Sequence, residues 1–325
     1  MASQENYVII DTDCGVDDAV ALMLALDCHR KGLIRILAIT CVYGNTDVCQ
    51  VVRNVFLTLR LFGLEKTIRV LKGCAFPLRE KIGFEDGFMG IDGLGNSVHR
   101  MPEIDCQTEE EHAAQAIVSL VQQFPKQIQL LSLGPLTNLA LAQHLYPSVL
   151  NEFREIIAMG GMIEMLGNVG PTTEFNFFND PEAVHMVLTN STCPMTIVPW
   201  DTCLKTRMLW KHFDEIVEKN TEKSKFLENI YQSIYEHKVY GRNVSPGVVL
   251  CDIIVVFVAV FSKIIKLTDE YPVAIELAGH LTRGQLIIDR TGRADRKKFK
   301  NDRMARFVTE LDIEEAVKVL KKALD

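Results

Sequence analysis

The sequence lacks a C-x-x-C pair, a long uninterrupted apolar run, a surplus of basic charge and any Pro/Gly/Ser-rich linker. Each absence excludes something. Nine cysteines, an odd number at irregular spacing, do not form a disulfide framework and fit the reduced thiols of a cytosolic protein. The longest apolar stretch, Val248 to Phe261, contains Asp252. It falls short of the roughly 20 residues that a membrane span requires, and it reads as a buried helix. The opening residues, Met1 to Asn6, carry neither the basic nor the apolar part of a secretory leader. The expectation is a cytoplasmic protein without a membrane partner. A net charge of −7 repels phosphate backbones, so nucleic acid is not an expected partner. One basic run, Arg293 to Lys300, reads as a solvated loop or face. With 48% apolar residues and no internal repeat, the chain can fill one large α/β domain or two small ones.

Apolar runs alternate with helical periodicity along the chain. Strands are predicted at Tyr7–Ile10, Ile36–Val42, Ile128–Leu133, Ile156–Met159 and Met195–Pro199, and later near Val273–Leu277, Gln285–Ile288 and Arg306–Thr309. Helices are predicted at Ala19–Leu26, Val48–Leu61 and Asn138–Gln143, over a long region from Met208 to His237, and at Ile313–Leu324. Thr108 and Glu111 suggest a capping box for a helix running to Phe124. Asp180 and Pro181 suggest an N-cap and first-turn proline for a helix through Leu188. This alternation predicts an α/β fold with a mostly parallel central sheet and helices on both faces. Ligands of such sheets sit beyond the carboxyl ends of the strands. Polar residues and glycines do follow the apolar runs: Asp11 to Asp18, Gly44-Asn45, Gly134 to Asn138, and Gly160-Gly161.

Asp11, Asp13, Asp17 and Asp18 crowd into eight residues. Carboxylates that close repel one another in a partly buried site, and a cation is the usual remedy. All-carboxylate donors select a hard ion, calcium or magnesium. Asp11 and Asp13 share a face, being two apart in extended backbone, and Asp17 and Asp18 open a helix whose dipole favours negative charge. A helix cap would explain either of the last two alone, but not the whole cluster. Asp252 sits among Cys251, Ile253 and Ile254, where a bare carboxylate is costly unless paired or metal-bound. It reads as a distant ligand or as a helix cap after Pro246-Gly247. Glu174 and Asn176, two apart in a segment read as extended, combine groups that can accept from and donate to vicinal hydroxyls.

The stretch Asp11-Thr12-Asp13-Cys14-Gly15-Val16-Asp17-Asp18-Ala19 resembles the DxDxGxDDA signature of the inosine–uridine nucleoside hydrolases. Further matches follow in family order: Gly44-Asn45, Leu133 to Asn138, Met159-Gly160-Gly161, Gly167-Asn168, Glu174-Phe175-Asn176, Asp180 to Ala183, and Asp252. The resemblance implies a single domain over residues 1–325 that binds one calcium ion and cleaves ribonucleosides in purine or pyrimidine catabolism. By the same resemblance, Asp13, Asp18 and Asp252 side chains and the Leu133 carbonyl ligate the metal, with Asp11 behind them as an orienting partner. Asp17, Asn45, Asn168, Glu174 and Asn176 hold the ribose hydroxyls, and Met159 packs beside the sugar. A homodimer or homotetramer is implied. Calcium acidifies a water, Asp13 takes its proton, and the water attacks the anomeric carbon through an oxocarbenium-like transition state.

The sequence departs from the family pattern where the leaving base is protonated. Cys251 stands where many members carry His, and Met89 stands at a second frequent His position. Cys14 replaces a frequent proline, a change expected to matter little. The leaving-group acid is therefore sought among Cys251, His237 and Tyr240, with Tyr231 and Tyr235 nearby in sequence. Two other readings compete: a nucleoside- or ribose-binding protein of the same fold without turnover, and a magnesium phosphohydrolase built on Asp11-Thr12-Asp13. Gly15 breaks the second pattern, which also gives Asp17-Asp18 and Glu174-Asn176 no role. If Asp13 is the base, Asp13→Ala abolishes cleavage while circular dichroism shows the fold intact; unchanged turnover would remove Asp13 from the scheme.

Overall fold

The computed structural model describes residues 5–79, 88–292 and 303–325. The basic run 293–300 lies outside the described residues. The strands are β1 Tyr7–Thr12, β2 Arg35–Cys41, β3 Val70–Lys72, β4 Ile128–Ser132, β5 Glu155–Met159, β6 Met195–Val198, β7 Arg207–Leu209, β8 Gly247–Val249, β9 Ile265–Ile275, β10 Leu286–Ile288 and β11 Met304–Leu311. Nine of them form one sheet in the order β10-β9-β11-β6-β5-β4-β1-β2-β3, and β7 pairs with β8 apart from it. From β3 to β11 every pairing is parallel, while β9 and β10 join antiparallel at one edge.

Side chains alternate across the sheet with the period of two that a pleated strand imposes. Val8, Ile10, Leu131 and Ile157 enter one core layer with helices Val16–Arg30, Val48–Arg60, Ile253–Val260 and Ile313–Ala323. Ile9, Leu130 and Ile156 enter the other layer with helices Ala113–Gln123, Thr137–Leu145 and Pro181–Asn190. The expected α/β sheet covered on both faces is thus present. The order 3-2-1-4-5-6 within it reverses direction between β1 and β4. Chain connections diverge there and leave a crevice beyond the carboxyl ends of the strands.

Local expectations differ from the structure in four places. The capping box is one turn later than Thr108–Glu111: His112 Nδ1 accepts from the Ala114 amide, and Gln115 reaches back to the His112 amide. The long helix from Met208 is broken into strand β7 and helices Trp210–Val217, Glu222–Ile230 and Gln232–Tyr235. Asn220 adopts φ 54° and Thr221 caps a new helix through the Ser224 amide, which ends the first one. The apolar stretch from Val248 forms the end of β8 before its helix starts at Ile253. Finally, Phe175–Asn179 is a short helix, so Glu174 and Asn176 are not two residues of an extended segment. Among the described residues no helix is long and apolar enough to cross a membrane.

Asp180 ties several of these elements together. One carboxylate oxygen caps helix Pro181–Asn190 through the Ala183 amide at 3.0 Å. The other accepts from the Thr137 hydroxyl at 2.8 Å and the Leu78 amide at 2.9 Å. Asp180→Ala leaves these buried donors without an acceptor, and is expected to cost roughly 2–4 kcal/mol in chemical denaturation. A loss within experimental error would show that the cap is dispensable.

Candidate active site

At the carboxyl end of β1 the chain turns sharply. Cys14 adopts φ 33°, outside the range a proline ring allows. The Thr12 hydroxyl accepts from the Cys14 amide at 3.0 Å and donates to Asp18 at 2.5 Å. Asp18 also accepts from the Gly15 amide at 3.0 Å, in the first turn of helix Val16–Arg30. The motif thus folds its acids back over the end of β1.

Asp11 is fully buried; one oxygen accepts from Thr40 at 2.6 Å and Asn138 at 2.8 Å. Asp13 accepts from the Asn45 amide at 2.8 Å. Backbone lies very close to Asp13 on two sides: a Cβ added to Gly44 would stand 2.0 Å from one carboxylate oxygen, and one added to Gly134 would stand 2.9 Å from the other. Only glycine allows that approach. The carboxyls of Asp13 and Asp252 lie against that of Asp18. Oxygens of Asp17, Asp18 and Asp252 gather within 4.8 Å of one another. Asp252 occupies the N-cap position of helix Ile253–Val260, yet its side chain makes no cap hydrogen bond. It faces the other acids, which disfavours the cap reading.

Burial dominates the electrostatics. It raises Asp11 and Asp17 to about 7, in both cases with a further push from Asp18. Asp13 and Asp252 are driven well up by burial and then by neighbouring carboxylates. One oxygen each of Asp11, Asp13 and Asp17 is buried without a hydrogen-bond partner. Such oxygens are costly unless a proton or a cation satisfies them.

Above the acids opens a cavity of about 630 Å³, within the size range of small-molecule sites. Asp17, Asn45, Leu133, Met159, Asn168, Glu174, Asn176, Tyr240, Cys251 and Asp252 line it, so the β1, β4 and β5 edges and distant loops meet at one place. Asp11, Asp13 and Asp18 are fully buried and are not among its lining residues. Glu174 accepts from the Gly161, Asn176 and Phe177 amides, but burial still raises it to about 7. The Asn176 amide donates to the Leu133 carbonyl at 2.7 Å and the Met159 carbonyl at 3.2 Å, which leaves its oxygen as an acceptor. The Asn168 side-chain oxygen is buried and unpartnered.

The candidate acids are placed differently. The Cys251 thiol lies within hydrogen-bonding reach of Asp17 and of Cys203, and the Cys203 contact followed by burial pushes it well up. His237 is not among the cavity-lining residues: its ring stacks on Tyr240 at 5.4 Å, and its Nδ1 accepts from the Val239 and Tyr240 amides. Tyr231 lines the cavity; Tyr235 packs behind it against Phe213 and Trp210. The sequence reading passed over Trp200, which lines the cavity directly after β6. The rule that ligands meet strand ends could have found it. Cys203, on the same helix, carried no such signal.

A family model described as inosine-uridine preferring nucleoside hydrolase matches residues 8–318. The chain is 34% identical to the inosine-uridine preferring nucleoside hydrolase of Leishmania major, over 87% of both chains. Among solved structures it resembles an inosine-guanosine nucleoside hydrolase with a TM-score of 0.87 and 30% identity, over 98% of both chains. It also resembles a purine-preferring ribonucleoside hydrolase from Gardnerella vaginalis, with a TM-score of 0.84 and 28% identity, again over 98% of both.

The raised acids give a signed expectation. Without metal, Asp11, Asp17 and Glu174 hold protons in the fold up to about pH 7, whereas unfolded carboxyls lose them near pH 4. The folded state therefore binds more protons across that window, so its stability falls as pH rises from about 4 to about 7, then levels off. Thermal melts in EDTA between about pH 5 and about pH 8 are expected to show a falling Tm, and added calcium to abolish the fall. A Tm that climbs with pH in EDTA would contradict the burial of these carboxyls.

Proposed function

The chain belongs to the inosine-uridine preferring nucleoside hydrolases, and from that premise we propose that it hydrolyses the N-glycosidic bond of ribonucleosides to free base and ribose, with calcium as cofactor. The observation that carries this reading is the group of unpartnered carboxylate oxygens beneath an amide- and carboxylate-lined cavity.

The donors fit a hard cation. They are all oxygens, one each of Asp13 and Asp17 lacks a partner, and Asp17, Asp18 and Asp252 converge. Asp13, Asp18, Asp252 and the Leu133 carbonyl would hold the ion, with Asp17 at its side and Asp11 fixing the set from behind. Bound there, calcium supplies the charge that makes a neighbouring water more acidic.

Asp13, locked by Asn45 and by the close backbone of Gly44 and Gly134, accepts the proton of the attacking water. The water oxygen bonds to the anomeric carbon as the carbon–nitrogen bond breaks, and the bonding pair leaves with the base. Positive charge grows on the sugar, and Asp17 and Glu174 stabilise it. Glu174 has spent three acceptor sites on backbone amides and keeps capacity for one ribose hydroxyl. The free oxygens of Asn168 and Asn176 accept from other hydroxyls, Asn45 adds an amide, and Met159 packs against the ring. Holding the sugar this way contributes orientation. For the departing base, Tyr240 and Cys251 offer a phenol and a thiol from the cavity wall, and His237 stands behind Tyr240. The working form is proposed to be a cytoplasmic homodimer or homotetramer.

Purified protein with calcium is expected to release base from uridine, inosine, adenosine or cytidine, followed by chromatography. EDTA is expected to stop release and calcium to restore it. No release from any nucleoside, by protein verified to hold calcium, would favour the binding-only alternative.

A further inference from the structure

Residues 160–173, between β5 and helix Phe175–Asn179, form neither helix nor strand, yet they deliver Asn168 to the cavity with its side-chain oxygen buried and unpartnered. The tip of this loop closes on itself: the Gly167 amide donates to the Pro171 carbonyl at 3.3 Å, and the Asn168 amide to the Thr173 carbonyl at 3.1 Å. Such internal bonds shape the tip without fixing where it stands. That is left to the stem, Gly161 to Glu164. The Gly161 amide donates to Glu174 at 2.8 Å, and the Gly161 carbonyl accepts from the Trp200 amide at 2.9 Å. Asp201, the next residue of helix Trp200–Lys205, holds the other end of the stem. One of its carboxylate oxygens accepts from the Ile163 amide, and the other from the Glu164 amide at 3.2 Å. Asp201 is only 3% exposed and is not among the cavity-lining residues. A carboxylate is costly to bury and persists where charge-assisted hydrogen bonds meet it. Lys205 adds an ion pair to Glu164 at 2.7 Å, but both side chains are about half exposed, and such pairs contribute little. Directly after the two amides, Met165 adopts φ 58° although its side chain is exposed. A left-handed residue without packing of its own is kept so by the backbone on either side.

We propose that Asp201 is a positioning residue of the sugar subsite: by holding the Ile163 and Glu164 amides it fixes the loop so that the free Asn168 oxygen faces a ribose hydroxyl. This rests on the hydrolase reading of the cavity and adds a residue that touches no part of the substrate. Glu174 and Trp200 hold the stem only at Gly161, where the loop begins. Asp201 holds it nearer Asn168, just before the turn at Met165. A carboxylate suits the place because consecutive amides need two acceptor oxygens side by side, and a side-chain amide or hydroxyl offers one. Released there, the loop carries Asn168 out of register with the sugar, and a displacement of about 1 Å is enough to cost most of the benefit of orientation.

What separates this role from a general structural one is whether Asp201 acts through Asn168. Asp201→Asn keeps the shape and one acceptor oxygen, and sets its own N–H against a backbone N–H. In the calcium-loaded full chain, kcat/KM for uridine is expected to fall roughly tenfold. On the Asn168→Ala background the same substitution is expected to change it by less than about twofold, because the group being positioned is gone. An equal loss on both backgrounds, as a general loosening of the fold would give, overturns the proposal, and so does no loss on either. Ribose binding to the same variants is measured by calorimetry beside turnover. If no nucleoside is cleaved, the hydrolase reading fails, while a ribose affinity that falls with Asp201→Asn only when Asn168 is present still upholds the positioning role. Ribose binding indifferent to Asp201 overturns that role as well. Should Asp201→Asn not fold, amide exchange in the unaltered protein decides: Ile163 and Glu164 exchanging more slowly than Met165 and Leu166 upholds the tether, and exchange at the same rate overturns it.

Discussion

Five carboxyls, those of Asp11, Asp13, Asp17, Asp18 and Asp252, are packed together, four of them buried and Asp17 half-buried in the cavity wall. In low dielectric such a cluster repels itself strongly. Much of the surrounding structure manages that repulsion. Thr12, Thr40 and Asn138 side chains and the Gly15 and Asn45 amides donate to the acids, and the first turn of helix Val16–Arg30 points its positive end at them. Even so, three oxygens remain without partners. The fold has assembled more negative charge than its own donors neutralise, and a multivalent cation answers that excess as a single monovalent side chain does not.

The cluster sits at this place because of the sheet. The reversal between β1 and β4 opens the crevice; the end of β4 supplies Leu133 to its lining, and the end of β1 carries the buried Asp11. The backbone then has to come close. Gly44 and Gly134 approach Asp13 at distances a side chain would forbid, and Cys14 takes a left-handed conformation to turn the chain between them. Asp13 is thereby confined on two sides and hydrogen-bonded on one oxygen. A carboxylate held so firmly keeps its direction, as the proposed proton acceptor must.

Much of this was legible in the sequence, because periodicity and clustered charge are local signals. The alternation of strands and helices followed from apolar spacing, and the acids announced themselves by proximity or, for Asp252, by standing in an apolar run. Lost to the sequence was whatever depends on direction. Glu174 and Asn176 were paired as neighbours on an extended segment, but a helix begins between them, and they reach the cavity by different routes: one through its cap, the other through amide bonds to Leu133 and Met159. His237 looked like a proton donor by residue type, yet it is not among the cavity-lining residues and its ring stacks on Tyr240. The break at Asn220 needed a positive φ that hydrophobic spacing does not encode.

On the proposed reading, the two halves of the cavity pose different problems to a nucleoside. Around the sugar, polar atoms are abundant and directional, and several are free to accept. Around the base, the proposed reading places a described wall that is aromatic and aliphatic, with the Cys251 thiol beside Asp17 and the Tyr240 phenol among its polar groups. That thiol is held high by Cys203 and by burial, which makes it a reluctant acid near neutrality. Loss of a general acid is worth about 10²–10⁴ in rate, so in the proposed mechanism the grip on the sugar and the fixed direction of Asp13 carry more of the barrier, or the base leaves without help.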